Sequence, residues 1–198
     1  MSTFDSIRYY LALVIVVTGP GSVLFWVPVH PLAAYWRRVG YGWAYVAGFG
    51  VFAAAALAAW VWRRPLLAIQ FGVHPSVAGA GVVLIVVSGV MRRSWHRQLS
   101  MRTLFGFPEL APQRYPGKLL TEGAYARVRH PRYLEILVGF LGLALLCNYL
   151  VAYAVWAFLT AAIALLIRLE ERELVVRFGP EYEAYRRRVP ALIPRMGK

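Results

Sequence analysis

Two clusters of charged and aromatic residues stand where apolar sequence begins or stops. Arg129, His130, Pro131, Arg132 and Tyr133, within "GAYARVRHPRYLEI" (Gly123–Ile136), open a run that turns almost purely apolar one turn later. Glu170, Glu171 and Glu173 follow the apolar run Leu150–Leu169. Together these side chains offer donors, acceptors and both signs of charge, the means of holding a charged ligand. Each cluster also has a plain structural reading. A basic helix start can anchor lipid headgroups, a glutamate pair can be the solvated end of a helix, and Tyr125 and Tyr133 can be interfacial aromatics.

The elements that must position these residues are membrane spans. Of the 198 residues, 60% are hydrophobic, more than a soluble domain carries, and they fall in long blocks. The blocks are Ile7–Val29 (interrupted by Gly19-Pro20-Gly21 and Pro28), Trp43–Trp62, Ser76–Met91, Leu134–Leu146 and Leu150–Leu169. A bilayer core takes roughly 20 apolar residues in helix, and backbone in lipid must bond internally. The expectation is an all-α integral membrane protein of about five transmembrane helices. Helices four and five form a tight hairpin, separated only by Cys147-Asn148-Tyr149. The first block shows no basic n-region or small-residue cleavage site, so it reads as a span and not a signal peptide. One domain is expected over residues 1–198, with three spans in 1–91 and the catalytic half in about 92–195. The single cysteine, Cys147, precludes an intrachain disulfide and a cysteine-based metal cluster, and no metal site is expected.

The formal charge is +13, but the basic residues flank spans and no nucleic-acid recognition module is visible, so nucleic acid is not an expected partner. All of the 22 Lys and Arg except Arg8, Arg63 and Arg64 fall in the first loop, in 92–132 or in the tail after Ile167. That bias expects a multi-pass protein with this side and the C-terminus cytoplasmic, and the N-terminus outside. Arg63-Arg64 run against it. The segment Arg92–His130 carries Trp95, His96, Phe105, Phe107 and Tyr115 among its charges, too apolar for a free loop, and its proline and glycine content makes the middle irregular. In the tail, Phe178-Gly179 ends helix five, Pro180 starts a short second helix with Glu181 and Glu183 near its positive end, and Val189-Pro190 stops it.

The order "LLTEGAYARVRHPRYLE", a helical hairpin, then "EERELVVRFGPEYEAYRRRVPALIP" resembles the isoprenylcysteine carboxyl methyltransferase and phospholipid methyltransferase superfamily. The resemblance runs from about Lys118 to Pro194. It implies S-adenosylmethionine bound at the membrane surface, in a cytoplasmic pocket capped by the C-terminal helix, with no soluble dinucleotide fingerprint; no G-x-G-x-x-G is present. Carried over by position, it implies cofactor contacts from Gly117, Lys118, Leu119 and Leu120, from Tyr125, from His130, Pro131, Arg132 and Tyr133, and from Glu170. A helix start beside His130 can receive the cofactor carboxylate, Glu170 can accept from ribose hydroxyls or the ammonium, and Tyr125 and Tyr133 can enclose the adenine.

The implied acceptor is a lipophilic small molecule or lipid: a prenylcysteine-like carboxylate, a phospholipid amine or another lipid-soluble molecule. Arg168 and Glu171 are the candidates to hold it. Carboxyl methyltransferases of the superfamily carry an arginine four residues before the first glutamate of the pair; here that position is Leu166, and Arg168 lies two residues on, roughly on the opposite face of the helix. An amine acceptor needs a base, for which Glu171, Glu173 and His96 are candidates. Two other readings remain open: an NADPH-dependent reductase of the sterol type, and a non-catalytic membrane protein on the same scaffold.

Overall fold

In the computed structural model, which describes residues 3–194, apolar runs fold as helices whose ends are set largely by proline and glycine. The principal helices are α1 (Thr3–Leu24), α2 (Gly42–Val61), α3 (Pro75–His96), α4 (Pro131–Cys147), α5 (Leu150–Phe178) and α6 (Pro180–Arg188), joined by short helical turns and loops. Proline occupies the first turn of α3, α4 and α6, where its missing N–H forgoes no helical bond. Gly179, at φ +54° and ψ −131°, makes the sharp corner between α5 and α6 in a region essentially confined to glycine.

Four helices, α1, α2, α3 and α5, are long and apolar enough to cross a membrane. The remaining apolar helix, α4, has 17 residues and is about 26 Å long, the lower limit for a span. The expected interruption at Gly19-Pro20-Gly21 does not end α1, which runs through Pro20 and turns only at Phe25. Packing keeps the helix going there. A Cβ on Gly19 would lie 2.8 Å from Val155, and one on Gly21 2.8 Å from Phe52, so the two glycines let α5 and α2 close on α1.

The centre of the bundle is α1, which packs against α2, α4 and α5, while α3 packs against α4. The α3–α4 seam is a backbone contact: a Cβ on Gly81 would stand 2.7 Å from the Gly142 carbonyl oxygen, and one on Gly142 2.8 Å from that of Gly81. Small residues let membrane helices approach this closely, and dispersion then holds them. The outer faces of α2 and α3 expose Val46, Phe49, Leu57, Val83, Val86 and Val90, the apolar surface expected toward lipid.

One end of the bundle holds the turn between α4 and α5. Asn148 takes the left-handed conformation there (φ 56°), and its amide donates to the Gly72 carbonyl at 3.0 Å. Gln70 pairs with Tyr149, and the buried Arg8 donates to the Cys147 carbonyl at 2.9 Å. The opposite end gathers residues 25–42, 97–130 and 170–194 by hydrogen bonds such as Arg37 to Glu173 and Arg129 to Glu171. Thus the basic segments grouped by charge in the sequence share one end of the molecule, and Arg8, Arg63 and Arg64 belong to the other.

Candidate functional site

The end that gathers the basic segments is built on the part of α5 beyond its apolar run. Three glutamates there point three ways. Glu171 Oε1 accepts from Arg129 Nε at 2.9 Å and lies 3.1 Å from His130 Nε2. Glu173 meets Arg37 at 2.9 Å, His30 at 3.8 Å and Arg177 at 3.6 Å. Glu170 Oε2 stands 3.7 Å from His130 Nδ1 and has no hydrogen-bond partner. A helix turns 100° per residue, so adjacent and near-adjacent glutamates reach different neighbours.

The turn before α4 is stitched to the tail through its backbone. Arg129 N–H donates to the Pro190 carbonyl at 2.8 Å and His130 N–H to that of Ala191 at 3.0 Å. The Arg129 guanidinium also donates to the carbonyls of Arg186 and Val189. Tyr185 Oη donates to the Tyr125 carbonyl at 2.6 Å. These bonds explain why a basic doorway and a Val-Pro-ended tail belong together: the tail supplies carbonyls to a turn whose amides have no helical partner.

Between these pieces lies a partly enclosed cavity of about 100 Å³. Gly117, Lys118, Leu119, Leu120, Tyr125, His130 and Glu170 line it, seven of the residues carried over as cofactor contacts. Pro131, Arg132 and Tyr133 do not. Pro131 is buried as the first residue of α4, Tyr133 sets its ring 5.7 Å from that of His130, and Arg132 turns to a second cavity. Glu171 is held by Arg129 and His130 and so clamps the turn. Arg168 is exposed and lines neither cavity, while Leu166 is buried in the core.

The sequence reading missed Glu109, Arg177, Tyr182 and Tyr185, all of which line the enclosed cavity. Glu109, 8% exposed, pairs with Arg177 at 2.9 Å. Burial pushes its carboxyl above the ordinary range despite the opposing pull of Arg177. Burial likewise raises the phenol of Tyr125, and that of Tyr185 to about 12, so both stay neutral donors. Glu109 Oε2, Glu170 Oε2 and Tyr182 Oη are buried without hydrogen-bond partners. Buried polar atoms are seldom left so, and their convergence on one cavity suits a ligand rich in donors. The signal for Tyr182 and Tyr185 was in the Y-x-x-Y spacing of the tail; Glu109 lay in the irregular segment and gave none.

The second cavity is a cleft of about 860 Å³ among α1, α2, α3 and α4. Phe25, Trp26, Phe52, Ile85 and Phe140 make it mostly apolar, with Arg92, Arg132, Glu135, Ser88 and Trp95 among its lining. The short helix Met101–Leu104 divides the two spaces: Met101 and Leu104 line the cleft, Thr103 the enclosed cavity. Gly106 (φ +73°) is the seam, since a Cβ there would lie 2.9 Å from Trp26 on one side and 3.6 Å from Glu109 Oε2 on the other. Among the described residues no group of three or more His, Cys, Asp or Glu is arranged to hold a metal ion.

A multi-helix membrane bundle with a polar cavity at one end, beside an apolar cleft, defines a class of membrane protein that can bring a polar ligand next to a lipid-soluble one. Residues 77–181 match the phospholipid methyltransferase family, and the chain belongs to that family. It is 42% identical over 84 residues to a methanethiol S-methyltransferase of Crocosphaera subtropica, covering 42% of this chain and 32% of that protein. It is 44% identical over 82 residues to the cobalt-zinc-cadmium resistance protein CzcN of Cupriavidus metallidurans, covering 39% and 36%. To the protein-S-isoprenylcysteine O-methyltransferase of Schizosaccharomyces pombe it is 38% identical over 81 residues, covering 38% and 33%. The matched region thus spans about a third of the length of these curated relatives. No solved structure matches the chain.

Proposed function

We propose that this protein moves a methyl group from S-adenosylmethionine, held in the enclosed cavity, to a lipophilic acceptor that reaches it from the bilayer through the apolar cleft. The observation that carries this reading is the set of unpartnered buried atoms in the enclosed cavity, Glu109 Oε2, Glu170 Oε2 and Tyr182 Oη. The two carboxylate oxygens are acceptors in surplus, and the cofactor's ammonium and ribose hydroxyls are donors in need of them. When bound, the cofactor supplies an electrophilic methyl group on a cationic sulfonium.

The chain's own residues bind, orient and exclude water. Glu170 and Glu109 accept hydrogen bonds, and Glu170 brings negative charge to a cation. Glu171 and Arg129 fix the His130 ring, so the turn holds its shape before ligand arrives. Tyr125 and Tyr185, neutral at any physiological pH, close the cavity under α6. Methyl transfer by in-line displacement depends on alignment, and a partition one short helix thick between the two spaces favours it. The family membership supports the same reaction class. The cleft sits with Arg92 and Arg132 at one end, consistent with that end lying at the cytoplasmic leaflet, where anionic headgroups collect.

The cavity of about 100 Å³ is smaller than the ~300–1,000 Å³ of most small-ligand sites, so entry of the cofactor requires α6 or the segment before residue 120 to shift outward. The test uses the purified chain in detergent. S-adenosylhomocysteine should raise the melting temperature, as a ligand selective for the folded state does, and NADPH should not. Labelled methyl should pass from S-adenosylmethionine into a lipid extract. Stabilisation by NADPH alone would transfer the reading to a reductase.

A further inference from the structure

The apolar cleft holds one acidic side chain among the described residues, and it has no charged partner. Glu135 lies one turn into α4 and is 8% exposed. Its Oε1 accepts from Ser88 Oγ at 3.0 Å, and it has no other hydrogen-bond or ion-pair partner among the described residues. Both residues line the cleft. Room for the pair is kept by Gly139, where a Cβ would stand 2.7 Å from Ser88 Oγ. Carboxylates at membrane depth are costly and are kept where they meet a ligand or a partner. Here α3 and α4 already pack through Gly81 and Gly142, so the seam does not need Glu135.

We infer that Glu135, oriented by Ser88, recognises the methyl acceptor, and that it selects an aliphatic molecule whose nucleophilic head still carries a proton, an amine or a thiol, over a carboxylate. This rests on the methyl-transfer reading above, since it names the acceptor of that reaction. An N–H or S–H head can donate to the carboxylate oxygen that Ser88 leaves free. An ammonium gains coulombic attraction as well, which a low-dielectric cleft amplifies. It passes its proton to the Glu135 carboxylate, as the thiol does its S–H proton, and the freed lone pair forms the bond to the methyl carbon while the methyl–sulfonium bond breaks and S-adenosylhomocysteine leaves. A carboxylate head would meet like charge with both groups desolvated. Arg92 and Arg132 line the same cleft nearer its end, but Arg92 is exposed and Arg132 half-buried, and water and salt screen their pull. Leu166, buried in the core, offers no cation in compensation.

The test compares three probes of one chain length, hexylamine, hexanethiol and hexanoate, on the full chain in detergent. Binding is read by thermal shift with and without S-adenosylhomocysteine, and methyl transfer is read separately. Hexylamine and hexanethiol should stabilise the protein and accept methyl; hexanoate should do neither. Glu135→Gln should weaken hexylamine binding about tenfold or more, the usual effect of losing a hydrogen bond to a charged group, with S-adenosylhomocysteine affinity unchanged. The inference is overturned if hexanoate stabilises as well as hexylamine, if no probe stabilises, or if Glu135→Gln binds hexylamine as the parent does. Head-group preference of the parent protein decides the matter even where the variant fails to fold. Failure of the parent to bind S-adenosylhomocysteine would instead sink the methyl-transfer reading, while probe binding in its absence still reports on Glu135.

Discussion

At the scale of residues, Glu170 and Glu171 show how adjacent identical side chains acquire different work. Glu171 is locked to Arg129 and His130, while Glu170 keeps a free oxygen in the enclosed cavity. Glu170→Gln should therefore leave a folded protein and weaken S-adenosylhomocysteine binding about tenfold or more. The exposed Glu183→Gln on α6 should match the parent in the same calorimetric titration. His130→Ala is a harsher change, because His130 is 5% exposed and bonds Glu171. It should lower stability by about 1–3 kcal/mol as well as affinity, visible as a lower melting temperature without ligand. His30 adds a dependence on pH. Burial lowers its pKa, but Glu173 at 3.8 Å, with the charges of Glu170 and Glu109, outweighs burial, and the net value is raised from 6.5. A raised folded pKa means that the contribution is complete below 6.5 and is lost as pH rises through the folded value. Melting temperature should fall across that range, and His30→Gln should flatten the fall.

At the scale of elements, the α3–α4 seam controls how the site is held, since α4 presents His130 at its start and Glu135 one turn later. Gly142→Ala would drive a methyl group to 2.8 Å from the Gly81 carbonyl oxygen. Overpacking of this kind costs typically about 1–3 kcal/mol, because two helix backbones must part. Gly89→Ala, on α3 with nothing within 4 Å of the added Cβ, should be neutral or slightly stabilising, as alanine suits a helix better than glycine. Thermal unfolding of the two variants in one detergent separates close packing from glycine content. Equal destabilisation by both would mean that the seam is looser than its geometry states.

At the scale of the whole molecule, orientation in the membrane is a matter of which end meets the cytoplasm. From the arginine bias we propose that the end carrying both cavities faces the cytoplasm. Cys147 would be the native probe of the opposite end, but it is fully buried, with its thiol against the Ala144 carbonyl, and will not report. An engineered thiol at exposed Ala68, in a Cys147→Ser background, will. It should react with an impermeant maleimide on intact cells, whereas one at Glu183 should react only after permeabilisation. The reverse pattern would invert the assigned topology while leaving the two cavities as described.

The all-helical class, the order of the apolar helices, the corner at Phe178-Gly179-Pro180 and seven of the residues around the cavity under α6 could be read from the sequence. The reason is local: hydrophobic length, proline at helix starts and glycine at a positive φ act over a few residues and leave their mark in composition and spacing. The continuation of α1 through Pro20 was not legible, because contacts with α2 and α5 decide it. Nor was the division of labour among Glu170, Glu171 and Glu173, which depends on what the tail, the first loop and the turn before α4 bring to each face of α5. Glu109 and Glu135 escaped for the same reason. A glutamate in an irregular segment and another in an apolar run carry no periodic signal, and only the meeting of distant helices turned one toward a buried cavity and the other toward a cleft.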